Sequence, residues 1–411
     1  MGQGLERQQQ LEERYLMHTY GRKPVQFVSG QGMKLVDDDG KEYLDFLSGI
    51  GVLSLGHNYP AVRKAVVEQA EKLLHVSNYF YVEHRGQLAA ALSGLLESNE
   101  PDALGYTDES WRTFFGNSGA EANECAIKLA RHWGHTHRHD ATGIVTAQRS
   151  FHGRTLATLF ATGQEWKQDP FLPPVSGFYH VPLNDADALE QLLCGPEGDG
   201  IVAVMLECIQ GEAGVWPCSD EFLQAARRLT LEHGMLLIID EVQTGMYRTG
   251  KPFAFQTYGI VPDVVTVAKG MGDGAPIGGC CARGELGLEL QPGEHGSTFG
   301  GSPLVCAAAE ATLAGFAAED IGANVREVGP YLRERLESLA HVVDVRGRGL
   351  MVGFDLDGPY ATRVVDRGLE DGVVLNATGE HTIRLLPPLI CSKADVDVLI
   401  DTIAPIIEEE A

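Results

Sequence analysis

Three charged residues stand where apolar runs end. Lys269 follows "VVTVA", Asp240 closes "LLIID" and Glu207 closes "IVAVMLE". A charge at the end of a buried strand is costly unless something answers it. A lysine there serves as an ion pair, as a phosphate clamp, or as an amine that loses its proton and attacks an aldehyde. An aspartate there caps a turn, pairs with a cation, or faces a protonated heteroaromatic nitrogen. A fourth feature is "GNSGAEANE" (116–124), where Ser118, Gly119 and Ala120 lie at the start of a helix. Unpaired backbone N–H groups and the helix dipole make such a spot an anion site, and the glycine lets a phosphate come close. Each feature alone is ordinary. Together, an anion site, an aspartate and a lysine match the phosphate, ring nitrogen and aldehyde of pyridoxal 5'-phosphate.

Those residues need a scaffold that brings strand ends together. The runs "IVAVMLE" (201–207), "MLLIID" (235–240) and "DVVTVA" (263–268) are uninterruptedly apolar, and helical patterns separate them. Such alternation implies an α/β fold, with a mostly parallel sheet covered by helices on both faces. Ligands of open parallel sheets bind outside the carboxyl ends of the strands, where the three charges fall. The first 60 residues read as a helix and a hairpin around "DDDG". From about 310 the texture changes to long amphipathic helices bracketing the short strands "VVDVRG", "LMVGFDL" and "TIRLLP". The expected division is an N-terminal segment 1–60, a large cofactor-binding domain 61–309 and a smaller α/β C-terminal domain 310–411, with the N-terminal segment packing on the small domain.

The chain has 411 residues, 44% of them hydrophobic, and a formal net charge of −25. That field disfavours nucleic acid and anionic membrane surfaces, so an anionic ligand needs a local positive site. No apolar run is long enough to span a bilayer, and the N-terminus has no signal-peptide core. The eight cysteines form no CxxC pair and no metal-ligand spacing, so free thiols in a reducing cytoplasm are the expectation. No strand is followed by GxGxxG with an acidic residue about 20 positions on, which disfavours a nucleotide-fold dehydrogenase.

The stretches "TYGRKPV", "FFGNSGAEANECAIKLAR", "FHGRT", "LECIQGEAGV", "IIDEVQTGMYRTGK", "VTVAKGMGDGAPIGG", "HGSTFGGSPL" and "IRLLPPL" occur in an order and spacing that resemble the class III, fold-type I, pyridoxal-phosphate aminotransferases along almost the whole chain. The resemblance implies roles. Lys269 is similar to the Schiff-base lysine, Asp240 to the partner of the pyridine nitrogen and Gln243 to the glutamine near the ring hydroxyl. Val242 and Phe151 would cover the two ring faces. Ser118, Gly119 and Ala120 would hold the phosphate, and Thr298 would reach it across a subunit boundary, which implies a homodimer with shared active sites. Arg154 resembles the residue that grips a substrate carboxylate, with Ser297 beside the substrate and Tyr20 at its entrance. Glu207 and Arg384 would form a switchable pair that admits an amine-tailed donor and 2-oxoglutarate in turn.

The implied reaction moves the terminal amino group of N2-acetylornithine to 2-oxoglutarate. Ornithine, succinylornithine and 4-aminobutyrate are alternative donors. An aminomutase or a non-catalytic cofactor-binding regulator are more distant readings of the same fold. Two positions depart from many relatives: Cys208 stands where a proline is common, and Ser302 where an asparagine is common. Neither has a proposed chemical role.

Overall fold

Side chains alternate across a strand, so a strand that is apolar at every position must be covered on both faces. The computed structural model, which describes residues 3–97 and 110–411, shows that arrangement. Seven strands form the main sheet in the order Trp111–Gly116, Gly278–Arg283, Val264–Val267, Leu236–Asp240, Ile201–Leu206, Gly143–Ala147 and Phe178–Val181. Leu237 and Ile239 face a core with Phe222 and Leu229, while Leu236 and Ile238 face another with Ile127 and Leu129. Burying each such side chain contributes roughly 1.5–3 kcal/mol.

The sheet is parallel from Val264–Val267 through Phe178–Val181, but Gly278–Arg283 runs antiparallel to both its neighbours. Gly278 lies so close to the start of the next helix that a Cβ there would meet the Ser118 carbonyl oxygen at 2.2 Å. This strand therefore fixes the position of the proposed phosphate site.

Two helices illustrate how sequence sets the layers. Asp220–Glu232 begins at Ser219, whose side chain accepts a hydrogen bond from Phe222 N at 3.1 Å. Its buried face carries Phe222, Leu223, Ala226 and Leu229, and Gly234, at φ 59°, follows its end. Gly119–His137 begins at Ser118, which accepts from Glu121 N at 3.2 Å. Its face of Ala122, Cys125, Ala126, Leu129 and Ala130 packs down, which aims its first turn at the carboxyl ends of the strands.

Two smaller sheets complete the architecture. The hairpin strands Lys34–Asp37 and Glu42–Asp45 join Phe27–Gln31, and Val373–Val374 adds in parallel beside Glu42–Asp45. The N-terminal strands are thus hydrogen-bonded to a segment more than 300 residues away. Val342–Arg348, Met351–Leu356, Thr382–Leu385 and Asn376–Ala377 form an antiparallel sheet, which carries Arg384. No helix among the described residues is long and apolar enough to cross a membrane.

Candidate active site

The three strand-end charges converge. Lys269 is two residues past Val267, in a backbone conformation with φ 42° that a lysine rarely adopts. Such strain is held in place by the surrounding structure. Burial, reinforced by the positive charge of Arg384, lowers the Lys269 pKa to about 8 against the opposing charges of Glu212, Asp240 and Glu207. A lysine at about 8 holds a substantial neutral fraction near physiological pH, as a nucleophile or base requires.

Asp240 is 3% exposed and fully engaged. Its Oδ2 accepts from Asn123 Nδ2 at 2.7 Å and pairs with His152 Nδ1 at 2.8 Å, and its Oδ1 accepts from Val242 N at 3.0 Å. Burial opposes protonation of His152, but the hydrogen bond and charge of Asp240, helped by Glu207, raise its pKa. Neither Asn123 nor His152 was singled out in the sequence. Both lie inside motifs that were, "GNSGAEANE" and "FHGRT", and the signal was that a buried aspartate needs donors.

These groups line a cavity of 460 Å³, together with Ser118, Gly119, Ala120, Phe151, Arg154, Glu207, Val242 and Gln243. Its size suits a small cofactor with part of a substrate. The donor set fits pyridoxal phosphate. Gln243 is buried and its Oε1 has no hydrogen-bond partner among the described residues, so a hydroxyl donor would satisfy it. Gly119 packs so closely on Val242 that a Cβ would meet Val242 Cγ1 at 2.7 Å. No group of three or more His, Cys, Asp or Glu among the described residues is arranged to hold a metal ion.

The expected Glu207–Arg384 pair is not formed. Arg384, 2% exposed, bonds through Nη1 to Glu212 Oε2 at 3.0 Å and to the Gly211 carbonyl at 2.9 Å. Its Nε and Nη2 reach Asn376 Oδ1 at 3.2 and 2.8 Å. Glu207 instead accepts from Phe151 N at 2.9 Å, and burial raises its pKa to about 7. A carboxyl group titrating near neutrality is a poor permanent counter-ion. Glu212 is the better one: burial opposes its charge, yet the adjacent Arg384 holds its pKa below the usual value. "LECIQGEAGV" contains both glutamates, and only the turn at Gly211 decides which one meets the arginine.

Arg154 is exposed and lies at the junction of this cavity with an adjoining one of 1130 Å³ that Arg384 and Glu212 also line. Tyr20 is not brought to the site. It is 76% exposed and lines a separate hollow beside the N-terminal helix. Ser297 touches the site indirectly, its Oγ accepting from Asn117 Nδ2 at 3.0 Å. Thr298 is exposed and lines a different cavity, with Ser297, Asn78 and Tyr81, away from Lys269 of its own chain.

A sequence model described as aminotransferase class-III matches residues 15–407. An acetylornithine aminotransferase of Caldanaerobacter subterraneus subsp. tengcongensis is 42% identical, covering 97% of this chain and 98% of that protein. One from Gloeobacter violaceus is 45% identical over 95% and 94%. Among solved structures, the acetylornithine aminotransferase of Elizabethkingia anophelis superposes with a TM-score of 0.84 at 31% identity, over 98% of this chain and 99% of that one. An ornithine aminotransferase of Toxoplasma gondii, with partial occupancy of PLP at its active site, gives 0.90 at 30%, over 99% and 95%.

Proposed function

The chain belongs to the class III aminotransferases, and from that premise we propose that it binds pyridoxal 5'-phosphate and moves the terminal amino group of N2-acetylornithine to 2-oxoglutarate, giving N-acetylglutamate 5-semialdehyde and glutamate. The observation that carries the reading is the pairing, in one cavity, of a half-buried lysine with a lowered pKa and a buried aspartate held by three donors. The choice of donor rests on the near full-length likeness to enzymes of that name.

The cofactor, when bound, supplies an electron sink for charge that develops at the reacting carbon of the substrate. The protein supplies the rest. Lys269 Nζ would hold the aldehyde carbon and, as a free amine, would take a proton from the reacting carbon of the substrate and return one. Asp240 would keep the ring nitrogen protonated, and Asn123 and His152 fix the carboxylate for that task. Backbone N–H groups of Gly119 and Ala120 bind phosphate at the helix N-terminus. Phe151 and Val242 would confine the ring, and Gln243 Oε1 would accept from its hydroxyl. Arg154 grips a substrate carboxylate through two parallel hydrogen bonds. Glu212 neutralises Arg384 while an amine-tailed donor is bound and yields it to the second carboxylate of 2-oxoglutarate, so one pocket serves two substrates.

The division into segments 1–60, 61–309 and 310–411 belongs to the same proposal, supported by the pairing of Val373–Val374 with the N-terminal strands. So does a homodimer, supported by exposed Tyr79, Phe80 and Tyr81 beside the cavity of Thr298. A cytoplasmic location fits eight free cysteines. The test is kcat/KM with 2-oxoglutarate as acceptor on N2-acetylornithine, ornithine, succinylornithine and 4-aminobutyrate. The proposal expects the acetylated donor to lead. A clear preference for another would move the donor, and no glutamate formed from any of them would end the reading.

A further inference from the structure

Lys167 is an unexplained cation. It lies on the short helix Glu165–Gln168 and is 6% exposed. Its Nζ is 4.9 Å from the ring centroid of Phe151 and 5.0 Å from that of Trp166. Its side chain lines the 1130 Å³ cavity. Among the described residues no carboxylate forms an ion pair with it. Burial lowers its pKa, the result expected for an ammonium group without a close partner. Aromatic faces attract a cation only modestly, so two rings do not replace a counter-ion.

The nearby anions are committed. Glu212 is bonded to Arg384 at 3.0 Å, and Glu207 is bonded to the Phe151 amide at 2.9 Å. Arg154 approaches the same Phe151 ring, its guanidinium carbon 5.6 Å from the centroid, and it too forms no ion pair among the described residues. Two cations with no ion pair among the described residues therefore flank one ring at the junction of the two cavities, with Glu212 and Glu207 acting on Lys167 only at longer range, in a chain whose net charge is −25. Arg384 already has its glutamate, and Arg149, exposed at the rim of the same cavity, donates to the Ala213 carbonyl at 3.1 Å and lies over the face of Trp216 at 5.3 Å.

We propose that Lys167 is a specificity-determining residue that, with Arg154, clamps the substrate carboxylate lying farthest from the reacting carbon. The inference rests on the aminotransferase reading for its substrates. Both of them, N2-acetylornithine and 2-oxoglutarate, carry a carboxylate at the end away from the carbon that reacts, so one clamp serves both half-reactions. Arg154 gives direction through its planar fork, and Lys167 adds a point charge from the buried side. A carboxylate that reaches them gives both cations the ion pair that no described residue forms with them.

The experiment compares N2-acetylornithine with 4-acetamidobutan-1-amine, the same donor without its carboxylate. Lys167→Met should lower kcat/KM for the first about tenfold, mostly through KM, and leave the second within about twofold, as loss of one charge contact predicts. Lys167→Arg should restore most of the loss. Calorimetry of the purified enzyme with glutarate and with butyrate gives an independent reading: Lys167→Met should weaken glutarate about tenfold and butyrate by the same factor or less. An equal fall for both donors would mean that Lys167 only supports Phe151, and unchanged glutarate affinity would also overturn the clamp. If the wild-type enzyme transaminates neither donor, the acetylated-donor reading fails, while the glutarate titration still decides on Lys167.

Discussion

Buried charge at the site is arranged in two opposite ways, and the difference has a pH signature. Lys269 is pushed down to about 8 and Glu207 up to about 7, both chiefly by burial. Glu207 titrates near the ordinary 4.5 when the chain is unfolded. Between 4.5 and 7 this group therefore binds more protons in the folded than in the unfolded state, and its contribution to stability falls as pH rises through that window. His152, also raised, contributes with the same sign. Lys269 contributes with the opposite sign in a higher window, between 8 and 10.5, where the unfolded chain binds more protons and stability rises with pH. Glu207→Gln removes one of these titrations. Its melting temperature should decline less steeply from pH 4.5 to pH 7 than that of the wild-type protein, measured without cofactor. An unchanged slope would show that Glu207 is ionised in the folded state. The aspartate gives a second reading at this scale. His152→Phe leaves Asp240 with Asn123 and the Val242 amide only, so cofactor affinity should fall at least about tenfold while the fold persists, consistent with loss of a charge-assisted hydrogen bond. Fluorescence titration with pyridoxal 5'-phosphate measures it.

The helix Gly119–His137 does two jobs, packing on the sheet and presenting its first turn to the cavity. Gly119→Ala would force a Cβ against Val242, a β-branched side chain with little freedom to turn aside. The expected cost is about 1–3 kcal/mol in stability, with loss of cofactor affinity because the displaced groups line the site. Ser219→Ala is the matched control. It removes the N-cap of a helix on the same sheet, costs about 1 kcal/mol and leaves affinity unchanged. Urea denaturation and cofactor titration of both variants separate packing from binding. Elements of this kind were legible in the sequence because local signals specify them: an aspartate near the start, an apolar face, a stopping glycine. The strands Ile201–Leu206, Leu236–Asp240 and Val264–Val267 were legible as unbroken apolar runs, and their ends marked the site. What stayed hidden depends on distant partners. "GGCCAR" does not announce an antiparallel strand, and Val373–Val374 gives no sign that it will pair with Glu42–Asp45. The choice of Glu212 over Glu207 for Arg384 is of the same kind, set by a turn and a strand 170 residues on.

Across the whole molecule, the site in one chain is incomplete by the reading proposed here. Thr298 faces solvent in its own chain, next to exposed Tyr79, Phe80 and Tyr81, an apolar surface suited to a second copy. If each site takes Thr298 from its partner, two crippled chains can rescue one another. Mixing Lys269→Ala with Thr298→Ala subunits under exchange conditions should yield hybrid dimers with one intact site, and activity should rise to about a quarter of wild type. No gain on mixing, with subunit exchange demonstrated, would place Thr298 in its own site or in none. The proposed chemistry depends on the amine at 269 and the group it would hold. Borohydride reduction of the purified enzyme with pyridoxal 5'-phosphate, followed by peptide mass mapping, tests this directly. The account predicts the pyridoxyl mass on the peptide that carries Lys269, absent when the enzyme is first converted with excess amino donor. The label on Lys167, Lys128 or any other lysine, or no label at all, would contradict it.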